Sequence, residues 1–380
     1  MKKQIYLDNA STTKVDEKVL KAMLPYFSAN FGNPSSDHEV GQIAKKALEK
    51  AREIIANFIN AKPIEIIFTS GGTESNNFAL KGLFFAHPEK KHIITTKIEH
   101  DSVLETCKWL ERQGAKVTYL DVDKNGFINL NDLEKTISND TLVVSIIHGN
   151  NEIGVIQNLE KIGKICKEKK VLFHIDACQS FTKVPIDVQK KNLDLVTLNS
   201  HKIHGPKGVG ALYIKNGIKI IPLIHGGGHE KRLRSGTENI SGIIGFAEAV
   251  KMSNKKDVLK MEKLKDKLIK EILKIPNTRL NGSKENRLCN NVNVSFMNIE
   301  GEAIGGYLEQ EGIYTSTGSA CQSNTLKSSH VLKALGLNAL ESNSSLRISL
   351  SKYTTEKDID YFLDKLKKIV IKLRSISPLR

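Results

Sequence analysis

Cysteine is scarce in these 380 residues, and the five present (Cys107, Cys166, Cys178, Cys289 and Cys321) form no Cys-x-x-Cys. An odd, scattered set excludes a disulfide framework and a structural zinc site, and makes a reducing, cytoplasmic setting the expectation. Long apolar runs are missing too. None reaches the ~18–20 residues that span a bilayer, so no membrane association is expected. Near the start, Asp8 interrupts the apolar stretch that would follow the basic Lys2-Lys3, so no signal peptide is expected. Aromatics make up 6% of the chain, and only nine of its 57 cations are Arg. Nucleic-acid surfaces are richer in both. The net charge of +15 therefore reads as a lysine-coated solvent surface, and no nucleic-acid partner is expected.

What is present is globular: 39% hydrophobic and 26% charged residues, enough chain for two or three domains at ~150 residues each. Short apolar runs predict strands at 64–69, 92–96, 117–120, 142–147, 171–175, 193–198 and 209–214. Helical patterns lie between them at 74–85, 101–112, 130–137 and 159–169. Such alternation predicts an α/β fold with a mostly parallel sheet covered by helices on both faces. A long helix is expected near 239–274. Its second half carries nine Lys and four acids around the stripe Val258, Met261, Leu264, Leu268 and Ile272, which reads as an amphipathic helix with a solvated basic face. Beyond it, strands at 292–296 and 346–350 and helices at 302–310 and from Glu356 predict a smaller α+β unit. The expected division is a large domain over 15–255 and a small one made of 1–14 plus 256–380.

Chemistry in such a fold gathers where strands end. Three segments qualify. Thr69-Ser70-Gly71-Gly72-Thr73-Glu74 follows a strand and opens a helix, where free N–H groups favour an anion. Alone, it is equally an ordinary turn with Thr73 as N-cap. His174-Ile175-Asp176-Ala177-Cys178-Gln179 places an acid at a strand's carboxyl end, fit for a protonated ring nitrogen, a metal or a plain turn cap. Asn199-Ser200-His201-Lys202, before the Gly/Pro-rich reversal Gly205-Pro206-Lys207-Gly208, sets one of many lysines in a strand-end pocket, where it could form a Schiff base. Together the three supply what pyridoxal phosphate needs: an imine lysine, an acid for the pyridine nitrogen and a phosphate cradle.

Nearly the whole chain resembles the cysteine desulfurases of the NifS/IscS type, among the fold-type I pyridoxal-phosphate enzymes. The resemblance is carried in order by Tyr6-Leu7-Asp8-Asn9-Ala10-Ser11-Thr12-Thr13, Phe31-Gly32-Asn33-Pro34, Ser70-Gly71-Gly72-Thr73-Glu74-Ser75-Asn76 and Asn150-Asn151-Glu152-Ile153-Gly154. Ser200-His201-Lys202, Arg234-Ser235-Gly236-Thr237 and Ser316-Thr317-Gly318-Ser319-Ala320-Cys321 complete it. It implies that Lys202 holds the cofactor and moves protons at the substrate α-carbon. It also implies that Asp176 bonds the pyridine N–H, Gln179 the phenolic oxygen, and that His100 stacks on the ring. Gly72, Thr73, Ser200 and His201 are implied for the phosphate, with Thr237 reaching it from the other subunit of a homodimer. Arg347, assisted by Asn151, is implied for the substrate carboxylate.

Cys321 separates this reading from an aminotransferase. It lies in a run of small polar residues, Tyr314-Thr315-Ser316-Thr317-Gly318-Ser319-Ala320-Cys321-Gln322-Ser323-Asn324, with few packing anchors, and it resembles the catalytic cysteine of the long-loop desulfurases. The other four cysteines read as packing residues. The resemblance implies L-cysteine as substrate, L-alanine as product and a persulfide on Cys321. The sulfur would pass to an iron–sulfur cluster scaffold, with tRNA thiolation as another outlet. No resident metal is expected, although Cys321 could contact such a cluster transiently. The sequence ends at Ser377-Pro378-Leu379-Arg380, where many scaffold-docking members continue, so a nitrogenase-type scaffold or a DNA-modification system remains as an alternative acceptor. A related aminotransferase, β-lyase or selenocysteine lyase is the alternative within the fold. A non-catalytic nucleic-acid binder, resting on charge alone, is the alternative outside it.

Overall fold

The chain enters through a short strand, β1 (Ile5–Tyr6), and then builds a seven-stranded sheet. Its members are β2 (Ile66–Thr69), β3 (His92–Thr96), β4 (Lys116–Leu120), β5 (Thr141–Ile147), β6 (Leu172–Asp176), β7 (Leu195–Asn199) and β8 (Gly210–Ile214). This is a computed structural model, and it describes residues 4–317 and 328–378. The strand order is β2-β8-β7-β6-β5-β3-β4. Among the described residues β8 alone runs antiparallel to its neighbours, the other pairs being parallel.

Every residue of β2, β3, β5, β7 and β8 is buried, as a sheet covered on both faces requires. The period-two alternation of a strand then divides the core. Ile66 and Phe68 join one cluster with Leu48, Ala51 and Ile55 of the helix Glu39–Phe58. Ile67, between them, joins another with Phe78 and Leu83 of the helix Gly72–Ala86. The predicted strand 92–96 matches β3, and the other sheet strands fall within about two residues of their expected ends.

The single long helix expected near 239–274 is two helices, Ile240–Met252 and Lys255–Ile272. The break follows from Asn254, whose extended backbone lets its side chain accept the Asp257 amide and cap the second helix. The two also have different partners. Ile243, Phe246 and Val250 pack against the large sheet. The stripe Met261, Leu264, Leu268 and Ile272 belongs to another cluster.

That cluster surrounds a three-stranded antiparallel sheet of β9 (Thr278–Leu280), β10 (Asn291–Phe296) and β12 (Ser345–Ser349), in the order β12-β10-β9. Helices Gly301–Gln310 and Glu356–Ile376 cover it. The strand β11 (Ile313–Tyr314) pairs in parallel with β1, and Ile5 and Leu7 are buried in this same core. Ile5 and Leu7 thus pack among elements from the far end of the sequence. No helix of the described residues is long and apolar enough to cross a membrane.

Candidate active site

The carboxyl ends of β5, β6 and β7 open into a cavity of ≈ 250 Å³. The amino terminus of helix Gly72–Ala86, the residues after β3, the segment after β1 and Arg347 of β12 close its other sides. Nine of the residues expected from sequence line it: Gly72, Thr73, His100, Asn151, Asp176, Gln179, His201, Lys202 and Arg347.

Asp176 ends β6 and is 4% exposed. Its Oδ2 accepts from Asn76 Nδ2 at 2.8 Å and its Oδ1 from the Cys178 amide at 2.9 Å. Both carboxylate oxygens are therefore held by donors, which fixes the orientation of the acid at the cavity wall. Asn76 reaches it from one turn inside the helix Gly72–Ala86, so the helix that presents its amino terminus also fixes the acid.

Lys202 follows β7. Its Nζ donates to the Ser11 carbonyl at 2.5 Å and to the Ala10 carbonyl. Gln179 Nε2 shares that Ala10 carbonyl at 2.8 Å. The chain then reverses so tightly that a Cβ at Gly205 would stand 1.9 Å from Ser200 Oγ, which only glycine permits. Ser200 Oγ is buried without a hydrogen-bond partner. His201 bonds Thr12 Oγ1 at 3.2 Å through Nδ1. Burial, with Lys202, Lys207 and Lys183 beside it, pulls its pKa down to about 4, so the ring is neutral.

At the opposite wall His100 caps the helix Asp101–Glu111. Its Nδ1 accepts from the Ser102 amide at 3.1 Å, which leaves a neutral ring's hydrogen on Nε2. Gly71 sits at φ 153°, and a Cβ on Gly72 would stand 2.5 Å from Cys178 Sγ. The backbone therefore comes close to the cavity where the helix amides lack partners.

Arg347 is 4% exposed and heavily engaged. One terminal nitrogen donates to Asp8 Oδ1 at 2.9 Å and Ser11 Oγ at 2.7 Å, the other to the Asn151 carbonyl at 3.2 Å. Its Nε and the Asn151 Oδ1 are buried without partners. A guanidinium fixed on two sides with a donor to spare suits a carboxylate.

Three expected residues are not in the cavity. Ser200 is not one of the lining residues; its Oγ lies against the Gly205 turn, buried and without a hydrogen-bond partner. Thr237 is exposed on the stretch after Arg234 and does not line this chain's own cavity. Cys321 lies outside the described residues. Arg234 is held by Glu74 at 3.0 Å and so braces the helix start. Asn76, Ser102, Asn199 and Cys178 line the cavity without having been singled out for it. Cys178 packs its Sγ against Gly72 at the start of that helix, and burial raises its thiol well above the ordinary value. Cys107, Cys166 and Cys289 are buried, their thiols pushed up by that burial and poorly nucleophilic.

A buried strand-end carboxylate, a lysine facing it, an open helix amino terminus and a carboxylate-sized arginine define a fold-type I amino-acid enzyme. The comparisons agree. Residues 5–362 match the family model for class-V aminotransferases. The chain is 50% identical over 381 residues to the cysteine desulfurase IscS of Methanosarcina thermophila, across 99% of this chain and 94% of that protein. A solved NifS-like protein superposes with TM-score 0.92 at 42% identity, over 98% of this chain and 100% of that one. A structure of SspA in complex with cysteine gives TM-score 0.84 at 39% identity, over 93% and 100%. The chain belongs to the class-V aminotransferase family, whose members depend on pyridoxal phosphate. Within that family it groups with the cysteine desulfurases.

Proposed function

We propose that this chain converts L-cysteine to L-alanine and keeps the sulfur as a persulfide on Cys321. The observation that carries the reading is the convergence on one cavity of ≈ 250 Å³ of Asp176 from the end of β6, Lys202 from the turn after β7 and Arg347 from β12. The residues present fit pyridoxal phosphate. Asp176 offers a carboxylate to a ring N–H, Gly72 and Thr73 offer helix amides, and Ser200 Oγ is a buried hydroxyl lacking a partner. When bound, the cofactor supplies an electron sink for the substrate α-carbon.

Lys202 would hold the cofactor and carry the proton at that carbon. His100 would cover the ring, and Gln179 would turn its amide from Ala10 to the ring oxygen. Ser200 and His201 would hold the phosphate. Thr237, exposed on its own chain, would reach the phosphate of a second copy, making the working unit a homodimer. Arg347 and Asn151 would fix the substrate carboxylate. The thiolate of Cys321 attacks the substrate sulfur. An S–S bond forms, the C–S bond breaks, and its electron pair is protonated to leave L-alanine. The persulfide then serves an acceptor protein, with an iron–sulfur cluster scaffold favoured by the IscS names of the relatives. tRNA thiolation, DNA modification and nitrogenase-type assembly are further outlets. The packing supports a large domain over 15–255 and a small one of 1–14 plus 256–380, with the helix break at Asn254 beside the boundary.

The test measures alanine from L-cysteine with a reductant present, next to the visible absorption of the purified enzyme. Lys202→Ala abolishes both. Cys321→Ser keeps the absorption, yields no alanine and takes up no extra sulfur mass. Full alanine release by the serine variant would refute the persulfide step.

A further inference from the structure

One cation beside the site has no role in that mechanism. Lys183 stands on the turn after β6. Its Nζ donates to the Gln179 carbonyl at 2.9 Å and to the Lys202 carbonyl at 3.3 Å. It thereby bonds the main chain of two site residues, one after β6 and one after β7. It lines a separate small cavity of ≈ 50 Å³, and Lys202 lines both that cavity and the larger one.

The groups around Lys183 come from several elements. Cys178 lies on its own turn and Cys289 ahead of β10. His201, Lys202 and His204 follow β7, and the ammonium of Lys183 helps keep both histidine rings neutral. Asp257 of the helix Lys255–Ile272 and Lys352 after β12 complete the lining. Lys352 is matched by Asp16 at 2.7 Å, whereas the bonds of Lys183 go to neutral carbonyls. Its charge is therefore not cancelled by the groups it binds. Burial lowers its pKa to about 8, with Cys289 and Cys178 pulling the other way, so it is mostly charged at pH 7.

We propose that Lys183 is a positioning residue that clamps the Lys202 backbone and sets a positive field that makes the Lys202 nitrogen less basic. The proposal rests on Lys202 being the lysine that holds the cofactor. A less basic nitrogen spends more of its time unprotonated near neutral pH, the state in which it can accept a proton. A like charge nearby works in that direction, and an enclosed site screens it poorly.

The experiment follows the visible band of wild type, Lys183→Met and Lys183→Arg, each loaded with pyridoxal phosphate, from pH 6 to 10. In Lys183→Met the band's pKa rises by about one unit. Lys183→Arg, which keeps the charge across the whole range, holds the band's pKa at or below the wild-type value with a single-proton slope. The wild-type curve is broader than a single titration, because two neighbouring cations compete for protonation, and the Met variant restores a single-proton slope. A Met variant with the wild-type pKa and slope overturns the proposal. If that variant does not fold, a wild-type curve of single-proton slope overturns it equally. A band that survives Lys202→Ala removes the underlying reading instead.

Discussion

Arg347 shows how the fold fixes a single side chain and leaves it a donor for the carboxylate proposed above. Asp8 and Ser11 hold one terminal nitrogen, the Asn151 carbonyl holds the other, and Nε is left over. The planar fork can keep its partners and still offer a donor, which a lysine's point charge cannot. Arg347→Lys should therefore weaken cysteine binding by about 2 kcal/mol, a rise in KM of about 30-fold, with a smaller fall in kcat. Steady-state alanine formation separates the two. An unchanged KM with collapsed kcat would place Arg347 in chemistry and not in binding. The residues of this site were legible as types in the sequence, because motifs bring Lys202, Asp176 and His100 to strand ends. Their supports were not. Asp8 meets Arg347 across 339 positions, and Asn76 meets Asp176 across 100, so only the fold makes them partners. Thr237 is legible as a residue type, yet its place outside its own cavity is a matter of tertiary position.

Among elements, the stretch ahead of Arg234 has the least favourable backbone. Glu230, Lys231 and Arg232 sit at φ 43°, 59° and 66° in succession, without a glycine. Each such residue costs about 1 kcal/mol, so the surroundings must hold the turn in place. Glu230 grips Arg52 of the helix Glu39–Phe58 through two bonds of 2.7 Å and accepts the Phe68 amide of β2 at 2.8 Å. Both side chains of the pair are nearly inaccessible to solvent. Removing one partner strands a buried charge, so Glu230→Ala should destabilise the protein by about 3–5 kcal/mol, read by urea unfolding against wild type. A loss under about 1 kcal/mol would mean that the turn holds itself. Nothing local announces this turn, since its cause is an arginine 178 positions away. The sheet strands were legible for the opposite reason: they are continuous apolar runs, and burial on both faces leaves that pattern uninterrupted. The overlong helix near 239–274 was misread because Asn254 is a cap only when the chain turns there, and two helical patterns joined end to end look like one.

For the whole molecule, buried titrating groups decide how the fold meets acid. His148, His174, His201 and His204 are held near 3, 4, 4 and 4 against an ordinary 6.5, with burial the largest cause in each. Between about pH 6.5 and 4 the unfolded chain binds protons that the folded rings refuse, so stability is lost as pH falls through that window. Two buried acids oppose this. Burial pushes Glu99 up to about 8 and raises Glu152. Folding costs least where these acids are protonated in both states, so acidification from pH 8 to about 4.5 relieves them. Four rings against two acids leave the histidines ahead. Asp16, despite its burial, is held at about 2 by Lys352 and Tyr353, and this contribution fades only as pH falls from about 4 to 2. The urea midpoint should therefore fall steeply from pH 6.5 to 4, and further below 4. A midpoint flat or rising across pH 6.5–4 would show that the rings are not refused their protons. Lysine ordinarily titrates at about 10, so the lysine surplus behind the +15 charge stays a constant set of cations across this window. Their mutual repulsion is constant across it, and part of it is offset by pairs such as Lys267 with Glu356 and Asp360, which join two helices of the second core. The slope thus reports the buried rings and acids, not the surface that dominates the composition.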